Sequence, residues 1–401
     1  MERMSETVTD CNYQSLHHFI SNSDWDDKAV FDAVAKDVDA KLGGYEDSAL
    51  LLDETCCAKK GVKSVGVQRQ WLGRYGKVDK GQVFVCAALS RRDKVGLIDN
   101  RLFLGKEWVN DRERCLAAGV PEKEIVHRTK QELALELVEQ ARANGVRFSW
   151  VGADGLYGND PAFLRKLEDM GETFTIDCHS DQAIWLDDPC PYLPEKKSAK
   201  GRAPSRLTSD AESIQVREWV RAQKESAWQR KSIRKAYSGD LRAEFLFRRI
   251  WVWDNKEKAA RNWWLIVRRE CNSKQEIKYT LSNAPADTPL HHLVRMQAQR
   301  YWIERAFQDA KSHAGFAQYQ VRGWRGLHHH LAMVFLVLLF MLEERLSMRG
   351  ILQKISCGGI VMLLRSQLPS RLHDPDNVLK CILDKLSIYN NEDSELSRIC
   401  A

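Results

Sequence analysis

The chain has 401 residues, of which 44% are hydrophobic, and it carries a formal net charge of +6 at pH 7. This length and composition predict a substantial core in one large domain or in two to three modest domains. None of the 11 cysteines forms a C-x-x-C pair or has the Cys/His spacing of a zinc site, which favours reduced thiols. The mild basic excess suits a DNA-binding enzyme, and it also suits many proteins that bind no nucleic acid.

Residues 10–43 predict a helical N-terminal segment. Apolar residues recur there at helical spacing, and Asp26 and Asp27 stand near a helix start. The first ten residues are polar and acidic, so no secretory signal is expected. We leave two interpretations open, a small DNA-binding helical segment or a helical cap packed on the rest of the protein.

Residues 47–105 predict a meander of strands that is punctuated by glycines. The strand candidates are Val62–Trp71, Gln82–Leu89 and Val95–Leu104. Before them, the apolar run Leu50–Leu52 ends abruptly in Asp53, which indicates a buried strand with a carboxylate at its C-terminal end. Ligand sites in α/β sheets lie at such ends.

The next segment predicts alternating helices and strands, which are Gln131–Ala143, a strand ending in Asp154, Pro161–Met170 and Thr173–Cys178. A meander followed by helix–strand alternation is typical of an α/β protein with an RNase H-like core. A single Asp after a strand is usually a helix cap or a turn residue. Asp53 and Asp154 together indicate a site at the sheet edge.

Residues 181–287 interrupt this alternation with a polar, strand-rich segment. The basic stretch 196–202 follows three prolines, and we interpret it either as a contact to DNA or as an ordinary exposed loop. Strands are predicted at Arg242–Trp253, Asn262–Arg269 and Glu276–Ser282. The tryptophans of this segment are interpreted as core or sheet residues rather than as surfaces that stack DNA bases; they are Trp251, Trp253, Trp263 and Trp264.

A helix is predicted at residues 299–311. Offsets of four and eleven residues return close to the starting direction of a helix, so Arg300, Glu304 and Lys311 share one face. Such a face could hold a metal ion at Glu304 while the two cations grip phosphates. The alternative is a solvated charged stripe on an amphipathic helix.

The apolar run Leu331–Leu342 is too short to span a bilayer, and we interpret it as a core helix. His328, His329 and His330 precede it. Because consecutive helical residues point in different directions, these histidines cannot all bind one metal ion, and we expect them at the exposed start of the helix.

The order of these motifs resembles that of DDE transposases of the IS4 superfamily, in particular the IS701-like branch. Asp53-Glu54-Thr55 is similar to the D-x-T/S motif of the first aspartate, and residues 153–158 resemble the second-aspartate segment. Arg300, Glu304 and Lys311 match the R-x3-E-x6-K part of the Y-x2-R-x3-E-x6-K signature, while Gln297 stands at the tyrosine position. The stretches 59–67 and 319–324 resemble the IS701-like branch.

The resemblance implies that Asp53, Asp154 and Glu304 are the catalytic residues and hold two Mg²⁺ or Mn²⁺ ions. Double-stranded DNA would be the partner, as terminal inverted repeats and as target, with a dimer in the DNA complex, no membrane and a bacterial cytoplasmic, nucleoid-associated location. The expected DNA contacts are Arg300, Lys311, Lys59, Lys60, Lys63, Tyr301, Trp302 and Arg322.

The predicted organisation has five parts. They are an N-terminal helical segment (1–45), the first part of the core (46–180), a β-rich insertion (181–287), the second part of the core (288–350) and a C-terminal helical tail (351–401). Two other functions remain open from the sequence, an RNase H-like nuclease or resolvase that cuts without strand transfer, and a catalytically silent DNA-binding derivative of a transposase.

Overall fold

The computed structural model describes residues 12–195, 204–236, 239–271, 276–348 and 355–367, and they form a mixed α/β structure around one large sheet. The basic stretch 196–202 and most of the predicted tail 351–401 lie outside these residues. The helices and strands of the first half are α1 (Tyr13–Ser21), α2 (Asp27–Leu42), β1 (Ser48–Ala58), β2 (Gln68–Leu72), β3 (Lys77–Arg91), β4 (Lys94–Leu102), α3 (Lys106–Val109), α4 (Arg112–Ala117), α5 (Lys130–Ala143), β5 (Trp150–Ala153), α6 (Gly155–Gly158), α7 (Pro161–Asp169) and β6 (Phe174–Cys178).

The second half continues with further strands before four helices. Its elements are β7 (Ala183–Ile184), β8 (Ile214–Gln215), α8 (Val216–Arg221), β9 (Gln229–Ala236), β10 (Gly239–Val252), β11 (Arg261–Glu270), β12 (Ile277–Ser282), α9 (Leu290–Gln299), α10 (Tyr301–His313), α11 (Trp324–Ser347) and α12 (Cys357–Gln367). Arg300 stands between α9 and α10 with helical backbone angles, so the predicted helix at 299–311 is confirmed as part of a nearly continuous helical stretch.

The sheet has the strand order β2-β3-β1-β5-β6-β12-β11-β10-β9, and β4 also pairs with β3. β1 pairs with β5 in parallel and β5 with β6 in parallel, whereas the other ladders are antiparallel. β1 is buried on both faces, which explains why Leu50–Leu52 is a continuous apolar run without alternation.

The predicted strands of the 181–287 segment are confirmed as β10, β11 and β12, and the structure adds β9 at the sheet edge. They continue the same sheet, because β12 pairs directly with β6. The indole of Trp263 packs against Phe174 and that of Trp253 against Trp185, so both are core residues as expected. Trp251 and Trp264 are half-buried.

Three predicted boundaries are wrong. Residues 22–26 separate α1 from α2, so the N-terminal segment is two helices. Of the candidate Val62–Trp71, only its C-terminal part is a strand, β2. β1 does not end at Asp53 but runs on to Ala58, because its antiparallel ladder with β3 extends beyond its parallel ladder with β5.

The expected core helix is confirmed within α11, which is longer than the apolar run. By length and composition α11 could cross a membrane, but 67% of its most apolar window is buried inside the protein, as in core helices. The expectation that the three histidines are exposed is wrong. His329 is buried, with its ring nitrogens each 2.9 Å from a carbonyl oxygen, those of Ile20 and Trp25. These contacts join α11 to the end of α1 and to the α1–α2 connection.

Candidate active site

Asp53 lies on β1, two positions beyond the last parallel pair of β1 with β5. Its residue is 8% exposed, and its Oδ1 accepts a hydrogen bond of 2.7 Å from the Glu54 backbone N–H. Burial and the negative charge of Asp154 raise the pKa of Asp53 to about 8, and Glu304 adds to this effect. Arg300 opposes the increase. Asp53 is therefore a buried carboxyl group that faces other carboxylates.

Asp154 directly follows β5 and caps the short helix α6, where its Oδ1 accepts from the Leu156 N–H at 2.9 Å. It is thus both a helix cap and a neighbour of Asp53. Burial raises the pKa of Asp154, with a further contribution from Asp177, while Arg300 lowers it. Gly158 at the end of α6 permits this packing, because a Cβ there would come 1.9 Å from the Asp177 carbonyl oxygen.

Glu304 lies in the first turn of α10, and its side chain is 50% exposed. Its Oε1 is 2.8 Å from Nη1 of Arg300. Its charge contributes to the raised pKa of Asp53, so the helix brings this third carboxylate close to the sheet edge. Glu304 differs from the two aspartates in being exposed and on a helix.

Arg300 connects these acidic groups. Its Nη1 lies 2.8 Å from Glu304 and 3.7 Å from Oδ2 of Asp53, while its Nε lies 3.0 Å from Oδ2 of Asp177. Although burial opposes its charge, the surrounding carboxylates, Asp177 first among them, raise the pKa of Arg300 above its ordinary value. The guanidinium is the positive charge at the centre of the site.

Asp177 is a member of this cluster that the sequence interpretation missed. It follows Ile176 on β6, one position beyond the pair formed by Ala153 and Ile176, so it lies beside Asp154 at the ends of two parallel strands. The signal was available, because Phe174–Ile176 is another buried run that ends in a carboxylate.

Lys311 lies on α10, half-buried, about two turns beyond Glu304. Burial raises the pKa of the Cys86 thiol, Asp53 raises it further and Lys311 lowers it, so both charged groups lie near Cys86. Cys86 stands directly opposite Asp53 in the β1–β3 ladder. The predicted helix face therefore does point at the strand that carries Asp53.

The other predicted DNA contacts form two separate surfaces. Lys59 lies six residues beyond Asp53 along the chain, about 20 Å away for extended backbone. Its ammonium group donates to the Tyr319 carbonyl and lies 5.1 Å from the centre of that ring, and burial lowers the pKa of Lys59. Lys60 and Lys63 are exposed on the loop that follows.

Arg322 joins this loop, because its carbonyl accepts a 2.9 Å hydrogen bond from the Val65 N–H. Its own side chain is exposed. We call the residues Lys59, Lys60, Lys63 and Arg322 the basic loop surface.

Tyr301 and Trp302 lie at the start of α10. Tyr301 is 42% exposed, and the guanidinium of Arg234 lies 3.9 Å from the centre of its ring and 5.0 Å from that of Trp302. Arg234 comes from β9, a strand that the sequence interpretation did not identify. The contact brings the edge strand β9 against α10, the helix that carries Glu304.

The donor set suits a hard divalent cation, because burial and neighbouring carboxylates raise the pKa values of Asp53 and Asp154, and a bound cation would offset that effect. Across the described residues, no group of three His, Cys, Asp or Glu side chains is arranged to hold one ion. The guanidinium of Arg300 lies among the carboxylates instead. The chemistry of Asp53 and Asp154 fits a cation, while Glu304 pairs with Arg300 through its Oε1.

Comparisons with known proteins identify the family of the chain. Residues 1–240 match the family model described as DDE superfamily endonuclease. Over 312 residues the chain is 26% identical to the "Probable transposase for insertion sequence element IS701" of Microchaete diplosiphon, a match that covers 77% of this chain and 69% of that protein. The resemblance read from the sequence motifs is confirmed. The family match spans more than half of the chain, so this protein belongs to the DDE superfamily of endonucleases.

Proposed function

We propose that the protein is a DDE transposase that cleaves DNA at the ends of its element and joins those ends to target DNA. The observation that carries this proposal is the meeting of Asp53, Asp154 and Glu304 around one arginine. The name of the IS701 relative supports transposition rather than simple cleavage. That similarity does not favour the two alternatives, which are a nuclease or resolvase and a silent DNA-binding derivative.

The residues that would hold metal ions are Asp53, Asp154 and Glu304. Two Mg²⁺ or Mn²⁺ ions are proposed, and when bound they supply charge stabilisation for the attacking and leaving oxygens of a phosphodiester. In this proposal the protein's own side chains position the DNA. Arg300 and Lys311 bind phosphate oxygens.

We further propose that the core is RNase H-like. The antiparallel meander of β1, β3 and β4, followed by β5 and β6 in parallel with β1, supports this interpretation. The division at residues 45, 180, 287 and 350 is proposed with it, and the strands of the 181–287 segment would be an extension of the core sheet.

DNA would contact the protein at three places. The proposed contacts are the Arg300–Lys311 face, the basic loop surface, and the rings of Tyr301 and Trp302. The partners would be terminal inverted repeats and target DNA, bridged by a dimer in the complex. We also place the protein in the bacterial cytoplasm at the nucleoid, where its DNA would be.

The experiment that tests this function uses purified protein, Mg²⁺ and a DNA fragment that carries its own gene with both flanks. Discrete breaks at the flanks together with joined products would support a transposase. Breaks without joined products would support the nuclease. Binding without breaks in any divalent ion would support the DNA-binding derivative.

A further inference from the structure

Asp177 uses both of its carboxylate oxygens. Oδ2 accepts from Nε of Arg300 at 3.0 Å, and Oδ1 accepts from the Thr280 hydroxyl at 2.7 Å. Thr280 is directly opposite Asp177 in the β6–β12 ladder. A carboxylate whose oxygens are both engaged in this way is oriented toward the arginine rather than toward an ion.

A second contact lies behind Thr280. The Nε2 of Gln297, on α9, is 3.4 Å from the Thr280 hydroxyl oxygen, and Gln297 is buried. Since an amide N–H only donates, the Thr280 oxygen accepts from Gln297 and its own proton points to Asp177. The contacts therefore run in one direction, from Gln297 through Thr280 and Asp177 to Arg300.

The two sides of the Arg300 guanidinium face different partners. Nη1 contacts Glu304 and Asp53, which are the carboxylates proposed to hold the metal ions. Nε contacts Asp177. A divalent cation that took over Asp53 and Glu304 would repel the Nη1 side, and a held carboxylate on the Nε side would offset that repulsion.

We propose that Asp177 is a positioning residue that keeps Arg300 beside the DNA phosphate when cations occupy the site. This inference rests on the proposed function, since it assigns Arg300 to phosphate binding. Asp177 itself touches neither ion nor DNA. Thr280 and Gln297 fix its orientation.

The test is binding of a DNA duplex from the flank of the protein's own gene, in Ca²⁺ so that binding is measured without turnover. Asp177→Ala and Arg300→Ala should each weaken binding about 5- to 10-fold, and the double variant should be within about twofold of Arg300→Ala alone. By charge alone, removal of a carboxylate would tighten DNA binding, so a loss identifies positioning. Additive losses, or tighter binding by Asp177→Ala, would overturn the proposal.

Two control variants are measured in the same binding assay. Asp181→Ala removes an exposed aspartate from the segment after β6, and by the same charge argument it should bind DNA as tightly as the wild type or slightly more tightly. Asp177→Asn keeps oxygen and shape, and it should lose less binding than Asp177→Ala.

In metal-free protein with ¹⁵N-labelled arginine, the Nε–H of Arg300 should be protected from solvent exchange in the wild type and exposed in Asp177→Ala. Equal protection of this N–H in the wild type and in Asp177→Ala would overturn the proposal that Asp177 holds Arg300. If the wild type binds no DNA at all, the proposed function fails, while this exchange measurement still decides whether Asp177 holds Arg300.

Discussion

The two sides of the candidate active site are built differently. Asp53 and Asp154 stand on or directly after strands at the middle of the sheet, and burial raises the pKa of both. Glu304 stands on a helix, half of its side chain is exposed, and it pairs with Arg300. The two aspartates on the sheet side are therefore buried close to other negative charges, which disfavours their ionised form. Glu304 on the helix side is accessible to solvent and already pairs with one cation, the guanidinium of Arg300.

The largest expected effect is on cleavage, and it should be the same on both sides. Asp53→Asn, Asp154→Asn and Glu304→Gln should each lower the cleavage rate by about 10³-fold or more, because each removes a charge that acts in the transition state. DNA binding, measured by electrophoretic shift, should persist. Near-normal cleavage by any one variant would remove that residue from the proposed site.

The next effect concerns Arg300, which is proposed to position the DNA phosphate and which also competes with a metal ion for the carboxylates. Arg300→Ala should lower cleavage by about 10- to 100-fold through lost phosphate positioning. It should also tighten Mn²⁺ binding by about 3- to 10-fold in the absence of DNA, because a competing cation is removed from Glu304 and Asp53. Titration of free Mn²⁺ by electron paramagnetic resonance measures this. Weaker Mn²⁺ binding would mean that Arg300 supports the ion site instead of competing for it.

Stability should distinguish the sheet side from the helix side. Because the pKa of Asp53 is raised in the folded protein, the folded state retains a proton that the unfolded chain has released, and its stabilising contribution is lost as pH rises toward about 8. In metal-free buffer, the stability of Asp53→Asn relative to the wild type should therefore be higher at pH 8 than at pH 5, by about 3–4 kcal/mol.

Glu304→Gln serves as the comparison in the same thermal or urea unfolding series. Glu304 is only one of the charges that raise the pKa of Asp53, so this variant should gain less stability between pH 5 and pH 8 than Asp53→Asn does. A pH-independent difference for Asp53→Asn would show that the buried carboxyl group is not strained by its neighbours.

The smallest effects are expected at the basic loop surface, remote from the carboxylates. Lys60→Ala, Lys63→Ala and Arg322→Ala should each weaken DNA binding a few-fold and lower the salt slope of binding by about 1. Cleavage at saturating DNA should remain. Lys123→Ala, an exposed cation near α5, is a control that should leave the slope unchanged.

The sequence predicted the parts of the site that local pattern controls. Buried runs that end in Asp53 and Asp154, and the helical spacing of Arg300 and Glu304, each depend on neighbouring residues only. The local signal for Asp177 was present, but its role comes from Arg300, far along the chain, and Arg234 lies on β9, a strand that the sequence interpretation did not identify. Arg300 is 123 residues from Asp177, and their contact depends on how α9 and α10 cross the sheet.

The errors have the same origin. β1 continues past Asp53 because β3 pairs with it as far as Ala58. The residues around Asp53 do not predict this pairing, since the partner strand lies elsewhere in the sequence. The histidines of α11 were expected at an exposed start because they are polar. His329 is buried instead because the carbonyl groups of Ile20, at the end of α1, and of Trp25, in the α1–α2 connection, approach its two ring nitrogens.

The most direct test of the central claim, that Asp53 binds a metal ion used in DNA cleavage, is a change of metal preference. Asp53→Cys replaces a hard oxygen ligand by a soft sulfur ligand. We expect no cleavage of the flank DNA by this variant in Mg²⁺ and recovery of cleavage in Mn²⁺ or Cd²⁺, with the wild type measured in the same ions. Full activity of the variant in Mg²⁺, or inactivity in every ion while the wild type cleaves, would contradict the claim.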